Sequence, residues 1–160
     1  GHTEAAGYGL TASVKRNNRR IIMVLNGMSS MKERAEESRR LTEWAFREWE
    51  TYALFKAGDE VVADAEVWLG QAETVPLLAK GGLEVTMQRR SRLDMKVTTV
   101  WNGPIAAPVR KGQEVGKIVV TAPGMTPIEM PMVAGADVEK LGFAGRMSAA
   151  FKRVLWGKKG

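Results

Sequence analysis

The sequence predicts an α+β segment of strand, strand and helix, then an all-β sandwich domain, then a C-terminal amphipathic helix. Three observations lead there. Residues 7–25 alternate and then run apolar on either side of an Asn-Asn pair, and a capped stretch of helical periodicity follows. From residue 54 to 136, short apolar runs are broken by Gly, Pro and Asn-Gly turns about every ten residues. Residues 137–160 combine an apolar arc with a cationic remainder. Domain boundaries are therefore expected at 1–53, 54–136 and 137–160.

The first strand is Gly7–Val14, with Tyr8, Leu10, Ala12 and Val14 on one face. Asn17-Asn18 suits a hairpin turn, because Asn tolerates positive φ. The continuous apolar run Ile21–Leu25 reads as a second strand, buried on both faces. Ser30-Met31-Lys32-Glu33 is a capping box, and the helix it opens is expected to reach about Arg47–Glu50. Its apolar stripe is read as Met31, Ala35, Leu41, Trp44, Ala45, Trp49 and Tyr52. Two or three strands under one helix bury too little apolar surface to stand alone. Further sheet is expected N-terminal to residue 1, and the chain reads as a fragment.

Gly58-Asp59 marks the change of pattern. Seven short strands are expected beyond it: Val61–Ala63, Glu66–Leu69, Val75–Leu78, Leu83–Met87, Met95–Val100, Gly116–Thr121 and Ile128–Met132. Asp137 is expected to cap the last helix. Phe143, Met147, Phe151, Val154 and Leu155 share an arc on a helical wheel, followed by Trp156 and flanked by Arg146, Lys152 and Arg153. Such a helix suits the interface of an anionic membrane surface. No apolar run approaches the roughly 18 residues of a membrane-spanning helix.

Composition narrows the chemistry. The chain has 160 residues, no Cys and a single His, which excludes disulfides, thiol catalysis and Cys- or His-cluster metal sites. The net charge of +6 is spread out, with concentrations at Lys15–Arg20, Gln88–Arg92 and the C-terminal twenty residues. No zinc finger, helix-turn-helix or aromatic-basic platform accompanies it, so nucleic acid is not an expected partner. Ala107–Ile118 resembles a biotinyl- or lipoyl-domain hairpin, but Lys96 lies in an alternating run, Leu93, Met95, Val97, rather than at a turn tip.

The order of segments carries a resemblance. Gly1-His2-Thr3 followed by Ala6-Gly7-Tyr8-Gly9-Leu10, a basic hairpin, an apolar strand, a helix opening Lys32-Glu33-Arg34, a β-rich region and a basic amphipathic end resembles the low-molecular-weight penicillin-binding proteins. These are the serine-type D-alanyl-D-alanine carboxypeptidases, whose active sites carry S-x-x-K, Ser-x-Asn and K-T-G motifs. The resemblance implies that residues 1–53 are the C-terminal end of a β-lactamase-like, transpeptidase-like catalytic domain. Gly1 would be the last residue of K-T-G, where a missing side chain lets substrate backbone approach. It implies substrate-binding roles for Gly1, His2, Thr3 and Arg34. Thr3 would donate a hydrogen bond to the terminal carboxylate of a peptidoglycan stem peptide, and Arg34 would supply a guanidinium for that carboxylate. The nucleophilic Ser and its Lys are expected upstream, so the chain alone is expected to be inert. β-Lactam antibiotics are the implied inhibitors of the complete enzyme, no cofactor or metal is implied, and the implied location is periplasmic, on the outer face of the cytoplasmic membrane. The sequence departs from the family at Gly9, where relatives often have Cys or Asn. A non-catalytic membrane-docked module and a hydrolase of another amide are the alternative readings.

Overall fold

A computed structural model describes residues 1–142 and divides them into two compact units. One comprises Gly1–Tyr52 with Val85–Leu93; the other comprises Ala53–Glu84 with the described residues from Asp94 on. The amphipathic helix expected at the C-terminus falls on residues outside the described range, apart from its first few positions.

The first unit is a three-stranded antiparallel sheet under one helix. Its strands β1 (His2–Thr3), β2 (Gly7–Arg16) and β3 (Arg19–Met28) lie in sequence order. The β2–β3 turn is Asn17-Asn18, with φ of 46° and 64°, and it closes the pair Arg16↔Arg19. Two successive positive φ values match the right-handed twist of a two-residue hairpin, which is why Asn stands at both. Helix α1 (Met31–Glu48) starts where Ser30 accepts the Glu33 N–H at 3.1 Å. The other half of the box is displaced by one residue. The Glu33 carboxylate accepts from the Ser29 hydroxyl and, at 2.7 Å, from the Ser29 N–H, rather than from Ser30. Those two bonds hold the Glu33 carboxyl below the usual carboxylate range.

The apolar stripe expected on α1 is only partly the buried face. Met31 is 62% exposed and Trp44 40%, whereas Thr42 is buried. Thr42 can turn inward because its hydroxyl donates to the Ser38 carbonyl at 2.7 Å, leaving a methyl for the core. Beneath it lies Met23, whose sulfur is 3.9 Å from the Thr42 hydroxyl. The helix stops at Glu48, two residues short of the furthest expectation. Arg19 from the hairpin satisfies its last carbonyls, donating to Phe46 O at 3.1 Å, Ala45 O at 3.3 Å and also Trp49 O. A cation at a helix C-terminus also answers the macrodipole. Arg16 and Arg19 both place their guanidinium carbons 4.9 Å from the Phe46 ring centroid.

Trp49–Phe55, read from sequence as helix end and linker, is strand β4, and it forms a two-stranded sheet with β7 (Leu83–Gln88). Between their first-unit residues, the Thr51 and Thr86 hydroxyls are 2.8 Å apart and Arg89 pairs with Glu50. A 3₁₀ turn over Arg89–Arg92 follows β7.

The second unit is all-β among its described residues, as expected, and its strands form one hydrogen-bonded series. The remaining strands are β5 (Glu60–Trp68), β6 (Thr74–Ala79), β8 (Lys96–Trp101), β9 (Ile105–Ala106), β10 (Glu114–Thr121) and β11 (Ile128–Ala134). Their spatial order is β8-β10-β11-β6-β5-β9, antiparallel except for β5–β9. The register Ile118↔Met130, Met132↔Ala79, Ala134↔Leu77, Ala65↔Val75 and Val67↔Ile105 aligns one continuous buried face. Residues 61–68, expected with Leu69 as two short strands, lie in the single strand β5, with bulges between Glu60 and Val62 and between Val62 and Ala65. The polar interruption at Asp64 marks a bulge and not a turn. Asp137 caps no helix here: its carboxylate accepts the Lys111 N–H at 2.9 Å, and Val138 and Lys140 bridge to Val109 and Gly70. The β unit therefore continues past the expected boundary at 136. Lys96 opens β8 opposite Thr121, away from any hairpin tip, so the carrier-domain likeness has no structural counterpart.

Candidate functional site

Of the expected site residues, His2 and Arg34 contact Tyr8, a residue that sequence reasoning treated as an ordinary strand position, while Gly1 and Thr3 bond or pair with its neighbours on β2. The β1–β2 register sets His2 opposite Tyr8 and Thr3 opposite Gly7. The His2 and Tyr8 rings stack with centroids 4.0 Å apart and planes 29° apart. The Arg34 guanidinium carbon lies 5.9 Å from the same Tyr8 centroid. Its Nη1 also donates to the Gly9 carbonyl at 3.5 Å. Tyr8 thus contacts both His2 and Arg34. The available sequence signal was register: a tight turn after Thr3 necessarily sets His2 against Tyr8.

Arg34 is directed by the cap. Ser30 fixes the helix start, and Arg34 N donates to Ser30 O at 3.0 Å, which points the first turn at β2. The alternative partner for Arg34 on its own helix, Glu37, is engaged by Arg40. That pairing holds the Glu37 carboxyl below its usual range. Among the described residues Arg34 makes no ion pair, so its charge is available to an anion.

Gly1 and Gly9 exchange backbone bonds, with Gly1 N donating to Gly9 O at 2.9 Å and Gly9 N to Gly1 O at 2.8 Å. The Thr3 hydroxyl accepts the Ala6 N–H at 3.1 Å and keeps its own proton for donation. Gly7, at φ +67°, must be glycine, since a Cβ there would lie 2.6 Å from Met28 O. A Cβ at Gly9 would lie 2.8 Å from the Asn26 amide oxygen, so a larger residue there displaces that amide.

One Ser-x-x-Lys spacing is present that the sequence reading passed over: Ser29 to Lys32. Its geometry is not that of a nucleophile and base. The Ser29 hydroxyl is taken up by Glu33, and the Lys32 side chain, 85% exposed, reaches 4.0 Å from Glu36. Both side chains are partnered with glutamates on α1.

Residues 49–140 match the penicillin-binding protein 5 C-terminal domain. The chain belongs to that family. The family region covers all of β4 to β11 and ends at Lys140, so the bridges of Val138 and Lys140 lie inside it. In sequence, this family member is 33% identical over 144 residues to D-alanyl-D-alanine carboxypeptidase DacF of Bacillus subtilis, covering 89% of this chain and 37% of that protein. It is 32% identical over 148 residues to D-alanyl-D-alanine carboxypeptidase DacA of Escherichia coli, covering 92% of this chain and 36% of that protein. In structure it resembles penicillin binding protein 5 from Haemophilus influenzae, with a TM-score of 0.65 and 32% identity over 88% of this chain and 41% of that one. The chain spans a little over a third of the length of these carboxypeptidase relatives.

Among the described residues no helix is long and apolar enough to cross a membrane. Phe143, Met147, Phe151, Val154, Leu155 and Trp156, the expected anchor residues, lie outside the described residues.

Proposed function

We propose that this chain forms the C-terminal part of a serine-type D-alanyl-D-alanine carboxypeptidase, which removes the terminal D-Ala from peptidoglycan pentapeptides through an acyl-enzyme. The observation that carries the reading is the likeness to carboxypeptidases over about nine tenths of the chain. The chemistry of the Tyr8-centred cluster supports it. A peptide ending in a free carboxylate needs a cation and a hydroxyl donor beside an accessible strand, and Arg34, Thr3 and β1 offer those. In this reading Thr3 donates to the substrate carboxylate and Arg34 supplies its counter-charge. His2 holds Tyr8 in place by stacking, and Gly1 leaves room for the substrate backbone. The nucleophile and its base belong to the preceding part of the enzyme, and β-lactams acylate that nucleophile.

The complete protein is expected to release D-Ala from a diacetyl-Lys-D-Ala-D-Ala peptide and to be labelled by a fluorescent penicillin. The 160-residue chain alone is expected to take up no label, because Ser29 is engaged by Glu33. Labelling of the isolated chain, or a complete protein that neither cleaves nor labels, would reject the assignment and favour a binding module.

The enzyme is proposed to act outside the cytoplasmic membrane, held at its anionic surface by residues 143–160. Flotation with anionic vesicles tests this. The full chain is expected to float and a chain ending at Gly142, which keeps the Val138 and Lys140 bridges, is expected to stay behind. Equal flotation of the two would remove the anchor.

A further inference from the structure

The two ends of the six-stranded series are built differently. One end is β9, two residues long and held between Pro104 and Pro108. Short length and flanking prolines are the usual means of closing a sheet edge. The other end is β8, Lys96-Val97-Thr98-Thr99-Val100-Trp101, six residues in unbroken register with β10. Among the described residues no strand pairs with its outer side. It contains no Pro and no bulge, and its single charge stands at its first position. Val97 is 39% exposed and Val100 49%. An open, regular edge rich in β-branched residues is a template for another strand.

We propose that β8 pairs with β8 of a second copy of this chain, antiparallel, about a two-fold axis at Thr99. Residues opposite each other in an antiparallel pair lie on the same face of the sheet, so an axis of this kind must pass through one residue. Thr99 is the choice that keeps Val97 through Trp101 wholly paired with itself. Val97 then stands opposite Trp101 of the second copy, Thr98 opposite Val100, and Lys96 opposite Asn102. Aromatic against β-branched is a favourable cross-strand pair.

Trp101 is where the structure asks for such a neighbour. Its partner on β10 is Gly116, which offers no side chain to pack against it. A side chain could not be added at Gly116, since a Cβ would lie 2.6 Å from the Trp101 Cβ and 2.5 Å from Val100 O. The indole therefore lacks a cross-strand side chain on β10, and Val97 of the second copy supplies one.

Charge selects the direction of the pair. A parallel pairing would set Lys96 beside Lys96, whereas the antiparallel one sends the two lysines to opposite ends. Six paired residues make a small interface, below the ~1,200 Å² of standard ones, so the dimer is expected to be weak, with dissociation in the high micromolar range.

The absence of cysteine makes the test direct. In the full chain, Thr99→Cys sets two thiols across the axis at a Cα separation of about 4.5–5.5 Å, within disulfide reach. Lys96→Cys sets them six residues out of register, about 20 Å apart. At several hundred micromolar under mild oxidation, the Thr99→Cys chain is expected to form a covalent dimer at least tenfold faster than the Lys96→Cys chain. In sedimentation equilibrium, Val100→Lys, which lies diagonal to Lys96 of the second copy, is expected to weaken dimerisation at least tenfold. Equal cross-linking rates for the two variants, or a chain that stays monomeric throughout that concentration range, would overturn the proposal. Neither measurement involves substrate, so the result is independent of the carboxypeptidase reading.

Discussion

Leu77→Ala is expected to destabilise the second unit by about 3 kcal/mol, within the ~2–5 kcal/mol range for large-to-small changes in cores. Leu77 is fully buried on β6, between the buried side chains of Val75 and Ala79. β6 has β11 on one side and β5 on the other, so two ladders hold its backbone and the cavity cannot collapse. Urea unfolding of the full chain, followed by far-ultraviolet circular dichroism, reads the change. Leu93→Ala is the matching control. Leu93 is 90% exposed, and its truncation should stay within about 0.5 kcal/mol. A loss below about 1 kcal/mol at Leu77 would mean that the buried face does not hold the unit together.

The second large effect concerns Arg34. In the complete protein, if it is the carboxypeptidase proposed above, Arg34→Ala is expected to lower kcat/KM for a peptide with a free C-terminal carboxylate about 100-fold, or about 2.7 kcal/mol. That is the scale of one hydrogen bond to a charged group, about 1.5–3 kcal/mol. Arg34→Lys should restore part of the loss through its charge but not the two-pronged geometry. The decisive comparison uses the same peptide with its terminus amidated. If Arg34 meets the carboxylate, the amidated peptide is poor for both proteins and the variant loses the preference for the free acid. If kcat/KM falls equally for both peptides, Arg34 only supports Tyr8 through their 5.9 Å contact.

Much of the fold was legible because local chemistry and global arrangement agree. The Asn17-Asn18 hairpin, the Ser30 cap and five strands of the second unit (β5, β6, β8, β10 and β11) follow turn residues and period-two runs. The misreadings share a cause. Trp49, Tyr52 and Phe55 continue an apolar rhythm that fits a helix as well as a strand. What ends α1 is Arg19, some thirty positions away, taking up its last carbonyls. Thr42 was missed as a core residue because its polarity is cancelled by a bond to its own helix. For the candidate site, the sequence named residues but not their arrangement. His2, Thr3 and Arg34 could be named from motif order, but Tyr8 gained its place only through the β1–β2 register, and Ser29 lost its apparent motif through Glu33.

Each unit is assembled from two separate stretches of chain, and this has a consequence for biosynthesis. As the polypeptide leaves the ribosome, β4 emerges with the first unit, yet its partner β7 follows only after β5 and β6 have been made. Those two strands in turn wait for β11 and β10 before their sheet is extended beyond β6. Neither unit can finish before the other has started. Translation past Ala134 is the earliest point at which all eleven strands of the described residues are present, and until then β6, which carries Leu77, lacks its β11 neighbour. Chaperone demand during synthesis should therefore be concentrated on the stretch between β6 and β11, and a translational pause placed there would lengthen the period of exposure.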